Sequence, residues 1–169
     1  MILHSNDEIL KYAERTVRRA ESRDPDRIAS ALGVTVRDVP FKRQKGVYKL
    51  IERNAYIFIR SELEPVMRQI VLLHELGHHC LHRKVATQFQ EFNLFDMTNH
   101  RTEFEANLFA AHILLPDDEM IEYVRQGYDA EQIASLTGSD INLVALKVSD
   151  LARRGHAFRP PDHDTRFLK

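Results

Sequence analysis

A chain of 169 residues, 43% hydrophobic and 29% charged, carries enough apolar material for one compact core with a small appendage, so neither a disulfide nor a structural metal is needed merely to fold. Its single cysteine excludes an internal disulfide and fits a cytoplasmic setting; no basic-then-apolar leader opens the chain, and no apolar run approaches the roughly 18 residues of a membrane span. The net charge of −1 hides a basic stretch, 13 Lys/Arg against 8 Asp/Glu over residues 1–60, and an acidic remainder, 11 against 17. No aromatic residues interleave with the basic ones to form a nucleic-acid patch, so an ordinary solvated face is expected there.

In chain order, Ser5-x-x-Glu8 forms a capping-box pattern, and Ile9, Ala13, Val17 and Ala20 follow at helical spacing, which predicts an amphipathic helix over 6–21. Asp24-Pro25 opens a shorter helix that Gly33 closes. The β-branched run 34–41 and the segments 46–51 and 55–60, joined by a turn at Glu52-Arg53-Asn54, predict three antiparallel strands, the last two a hairpin. Ser61-x-x-Glu64 with Pro65 then starts a strongly apolar helix expected to run to about His82 and to lie at the centre of the core. Residues 84–100 show no clean period and read as a loop. Helices are expected at 101–115, from Asp117 to near Gly127, at 130–137 and at 140–154, followed by a poorly ordered tail from Gly155. The fold class is therefore α+β, a small three-stranded antiparallel sheet on a helical core, with a core at 1–126, a helical appendage at 127–154 and a disordered tail at 155–169.

The chemistry concentrates in the run His74-Glu75-Leu76-Gly77-His78-His79-Cys80-Leu81-His82. On a helix, His74 and His78 lie about 40° apart around the axis and one turn apart along it, so both imidazoles can reach one zinc ion. Glu75 is turned about 100° from His74, beside the metal without being obliged to ligate it, where a base for an activated water is needed. A polar His-Glu pair inside an apolar helix is costly to bury without such a ligand. A catalytic site needs a third protein ligand, and the next helix offers Glu103 and Glu105. Glu103 is favoured because it shares a face with Asn107 four residues on, which can support the carboxylate or a ligand histidine; Glu105, about 200° round the helix, is the alternative.

The other polar residues have plainer readings. His82 continues the ligand face and is expected beside the ligands or at the surface, His79 to pack or hydrogen-bond, and Cys80 to be a buried small hydrophobe. His100 and His112 are candidate transition-state donors, each more often an ordinary histidine. Ala134, Gly138 and Val144 have helix-turn-helix spacing, but Glu131, Asp140 and Asp150 balance Lys147, Arg153 and Arg154, so a packing or protein-docking role is expected over DNA contact.

Taken in order, these motifs resemble the ImmA/IrrE family of metallo-endopeptidases. The resemblance rests on HELGHHCLH at 74–82 and EFEANLFAAHILLP at 103–116, with IASALGV and the hairpin before them, and spans roughly residues 5–126. It implies a minimal gluzincin-like fold, zinc on His74, His78 and Glu103, and Glu75 as base. It also implies a cytoplasmic protease of a bacterium, phage or mobile element, whose substrate is a helix-turn-helix repressor of the phage type. Some relatives serve in stress responses or as antitoxin-like partners with little proteolysis, and a DNA-binding regulator is a further alternative. The chain departs from the family pattern at His112, where an acidic residue is usual, and at Leu115, where methionine is.

Overall fold

The structure, a computed structural model, describes residues 4–89 and 100–156. The Ser5–Glu8 pattern forms a reciprocal cap: the Ser5 side chain accepts from the Glu8 N–H, and Glu8 Oε2 accepts from the Ser5 N–H at 2.7 Å. Helix α1 (Asn6–Ala20) follows, burying Ile9, Ala13 and Thr16. Asp24 caps α2 (Pro25–Leu32), with Pro25 in the first turn, where its missing N–H costs nothing. Gly33 ends that helix at φ +71°, a conformation that an L side chain resists.

Three strands come next, β1 (Val34–Val39), β2 (Gly46–Ile51) and β3 (Asn54–Arg60), in the order β1-β3-β2. β2 and β3 form the expected antiparallel hairpin, but β1 pairs parallel to β3, so the sheet is mixed and not, as expected, wholly antiparallel. The reason is topological. Two successive reversals return β3 to the direction of β1, and β3, which buries Ala55, Ile57 and Ile59, takes the centre between the two edges. The hairpin turn is Glu52-Arg53, both at positive φ (49° and 69°), as a tight two-residue turn requires. Asn54, expected in the turn, already pairs with Ile51.

Helix α3 (Pro65–Phe89) runs seven residues past the expected end at His82. Residues 83–89 contain no glycine or proline to stop it, so the first part of the expected 84–100 loop is helix. Residues 90–99 lie outside the described residues, and α4 (His100–Leu114) follows. Val71, Leu72, Leu73 and Leu76 of α3 and Ala106, Leu108, Phe109, Ala110, Ala111 and Ile113 of α4 are buried. α3 meets α1, α2, α4, β2 and β3, which makes it the centre of the core, as its apolar circumference implies.

The chain divides into two compact units, Met1–Leu114 and Leu115–Lys169. The second contains α5 (Asp117–Arg125), α6 (Ala130–Thr137) and α7 (Ile141–Arg153). Helix α5 falls within it, and Asp117 at its start pairs with Lys147 and Arg154 at α7. α6 and α7 are joined by a short turn at Gly138, and Asp140 caps α7. The expected tail lies outside the described residues from 157 onward. Among the described residues, no helix is long and apolar enough to cross a membrane.

Candidate metal centre

Two neighbours position the polar stretch of α3. Gly77 lies against α4 so closely that a Cβ there would sit 3.0 Å from Ala106 Cα and 3.1 Å from its carbonyl oxygen. This close approach of two helix backbones brings the first turns of α4 over the histidine face of α3. On the sheet side, a Cβ on Gly46 would meet Val71 at 2.5 Å and Glu75 Oε1 at 3.1 Å, so the start of edge strand β2 lies directly on Glu75.

The result is a three-residue cluster. His74 and His78 stand edge to face, ring centroids 4.7 Å apart, with Nε2 atoms 3.0 Å apart. Glu103 reaches both, Oε2 to His74 Nε2 at 3.2 Å and Oε1 to His78 Nε2 at 3.3 Å. One donor atom from each residue lies within 4.8 Å of the others. Asn107, one turn after Glu103, accepts a hydrogen bond from His74 Nδ1–H at 2.8 Å; of its two expected supporting roles it takes the one on a histidine.

Glu105 goes elsewhere. It is fully buried, and its carboxylate accepts from Arg101 at 3.0 Å and faces His82 Nε2 at 3.1 Å. Of the two rival carboxylates, Glu103 is the one brought to the histidines. His79 Nδ1 lies 3.1 Å from the Tyr48 hydroxyl, and Cys80 lies beside Thr16, 3.9 Å from its Oγ1, while burial pushes its thiol up to about 11. His112 is buried on α4, where its backbone carbonyl accepts from Arg23 at 3.2 Å. The His100 side chain lies outside the described residues.

The electrostatics suit a cation. Burial disfavours charge on Glu103, yet the two imidazoles outweigh it and hold the carboxyl well below the usual carboxylate range. Burial pulls His78 below its ordinary value; at His74 the same pull is outweighed by Glu103 and Glu75, and its value rises. Glu75 is 8% exposed, and burial pushes its carboxyl up to about 7, against the charge of His74 and a hydrogen bond from the Tyr48 backbone N–H. The donor set fits a metal ion. Two imidazole nitrogens and a carboxylate converge, and Glu103 Oε1 is buried yet accepts no hydrogen bond.

Tyr48 is the contributor that sequence reasoning missed. It lies in β2, holds Glu75 through its backbone and His79 through its hydroxyl, and nothing in strand periodicity marks either role.

The chain is also similar to known proteins. A peptidase family model described as the IrrE N-terminal-like domain matches residues 29–149. An uncharacterized immunity region protein 2 of Bacillus phage phi105 is 34% identical over 138 residues, covering 79% of this chain and 85% of that protein. The metallopeptidase ImmA of Bacillus subtilis (strain 168) is 38% identical over 71 residues, 40% of this chain and 41% of ImmA. Among solved structures, a Mycobacterium tuberculosis transcriptional regulator matches 89% of this chain with a TM-score of 0.66 at 16% identity, a likeness of fold alone. This chain spans about half of that regulator's length.

Proposed function

We propose a function from one premise: the chain belongs to the ImmA/IrrE family of metallopeptidases. It is a zinc-dependent endopeptidase that cuts a helix-turn-helix repressor in the cytoplasm and so releases genes of a prophage, mobile element or stress response. The observation that carries the reading is the convergence of His74, His78 and Glu103 beside a buried Glu75. The phage immunity-region relative supports the setting.

His74 and His78 would hold the zinc through Nε2, and Glu103 through its carboxylate. Bound there, the ion supplies a Lewis acid for the scissile carbonyl and acidifies water near neutral pH. Glu75 moves the proton. Its buried carboxyl, raised by desolvation, accepts a proton from the attacking water and returns it to the leaving amine. The Tyr48 N–H keeps that carboxylate oriented. An extended substrate segment would add to the edge of β2, whose first residue, Gly46, leaves no side chain between the strand and Glu75.

The second unit serves recognition in this reading. Over residues 127–154 the basic residues are engaged internally: Lys147 and Arg154 with Asp117, Arg153 and Arg154 with Asp150. That leaves little charge for DNA phosphates. Tyr128 and Leu136 are exposed and suit contact with a protein partner. The test is zinc analysis and repressor cleavage after co-expression with the repressor encoded beside this gene. The expected result is about one zinc per chain and a cleaved repressor, with zinc lost in a His74→Ala/His78→Ala double variant. Full zinc occupancy in that variant would sink the assignment.

A further inference from the structure

Two buried side chains next to the cluster have no part in the reading above. His82 is 5% exposed and Glu105 fully buried. His82 Nδ1 lies 3.0 Å from His78 Nδ1, and His82 Nε2 lies 3.1 Å from Glu105 Oε2. The other oxygen of Glu105, Oε1, accepts from Arg101 Nε at 3.0 Å and from the backbone N–H of His4 at 3.2 Å. His4 is itself tied to α3, its Nε2–H donating to the Leu81 carbonyl at 3.1 Å.

The positions of the protons follow from the inventory of donors and acceptors. Glu105 acts as an acceptor toward Arg101 and the His4 N–H, and as a carboxylate it only accepts, so the proton between Glu105 and His82 sits on His82 Nε2. A neutral imidazole carries one N–H, which leaves a lone pair on His82 Nδ1. The proton between the two histidines then belongs to His78 Nδ1, and His78 Nε2 is left with its lone pair. That nitrogen is the one lying against His74 Nε2 and Glu103.

We propose that His82 and Glu105 are positioning residues that hold His78 in its Nδ1–H tautomer and so present its Nε2 as a metal donor. The proposal rests on the reading of His78 as a ligand. The two ligand histidines are thus oriented in different ways. Asn107 accepts directly from His74 Nδ1–H, whereas the acceptor for His78 is a carboxylate acting through a second imidazole.

Glu105→Gln separates this role from simple packing. Arg101 and His4 both donate to Oε1, so the glutamine carbonyl oxygen takes that place and its NH2 group faces His82 Nε2. His82 must then accept at Nε2 and donate from Nδ1, which moves the His78 proton to Nε2, the atom the metal needs free. The experiment is long-range proton–nitrogen NMR of metal-free, ¹⁵N-histidine-labelled full-length protein, with zinc affinity by chelator competition. In the wild type His82 should carry its proton on Nε2 and His78 on Nδ1. In Glu105→Gln both should reverse, and zinc affinity should fall roughly 10–100-fold. If that variant does not fold, His82→Phe should remove the single Nδ1–H state of His78. A wild-type His82 protonated on Nδ1, or a His78 tautomer unmoved in either variant, overturns the proposal. A wild type with the expected tautomers that binds no zinc overturns the ligand reading instead.

Discussion

At the residue scale, the exchange of one atom separates the base from the ligands. Glu75→Gln keeps the shape and volume of a side chain that is 8% exposed but cannot take a proton. Repressor cleavage should fall about 10²–10⁴-fold while zinc is retained; cleavage near the wild-type rate would refute the role. Glu103→Ala should weaken zinc binding more than Glu105→Ala, because only Glu103 reaches both imidazoles, and the opposite order in a chelator competition would overturn that choice. His79 gives a pH signature away from the cluster. Burial, with Arg83 and Arg19 nearby, lowers it from 6.5 to about 4. Between those values the unfolded chain binds the proton that the folded one refuses, so stability falls as pH drops through that window and is level above it. The loss by pH 5 should be on the order of 1 kcal/mol and should disappear in His79→Phe; an identical pH profile in that variant would exclude His79 as its source. The pairing of His74 with His78 was legible from spacing alone, since i, i+4 histidines need only a helix. Glu103 against Glu105 was open because sequence does not say which side of α4 turns toward α3; in the fold Glu103 lies beside His74 and His78, and Glu105 beside His82.

At the scale of elements, two backbone features make direct predictions. Gly77→Ala inserts a methyl 3.0 Å from Ala106 Cα, where backbone and not a flexible side-chain tip must give. It should cost about 1–3 kcal/mol and weaken zinc binding together, because pushing α4 away moves Glu103 from the histidines. A variant with wild-type melting and zinc affinity would show that the helices are not held by that contact. In the hairpin turn, Arg53 sits at φ +69°, where an L residue is strained. Arg53→Gly should stabilise the protein by up to about 1 kcal/mol, read from urea unfolding, and a destabilised variant would contradict the turn geometry. The strands themselves were legible from a β-branched run and two segments flanking a turn, but the parallel pairing of β1 was not. Such a pattern marks a strand without naming its neighbour, and Glu-Arg lacks the Asn-Gly signature of such turns. The end of α3 was misplaced because its apolar run fades after His82 while helix propensity does not.

At the scale of the whole molecule, the near-zero net charge conceals local arrangements. In the second unit, Lys147, Asp150, Arg153 and Arg154 form ion pairs with one another or with Asp117, which sequence could register only as a balance of signs. Recognition by that unit's apolar positions predicts that Tyr128→Glu/Leu136→Glu lowers repressor cleavage without changing zinc content. Undiminished cleavage would place recognition elsewhere. The claim from which the rest descends is the identity of the metal donors. Anomalous diffraction at the zinc edge, from crystals of the purified full-length chain, tests it most directly. The account predicts one strong peak per chain, ligated by His74 Nε2, His78 Nε2 and Glu103, with Asn107 and His82 on the far nitrogens of the two rings. A peak on Glu105, or crystals grown with zinc that show no peak between α3 and α4, would contradict it.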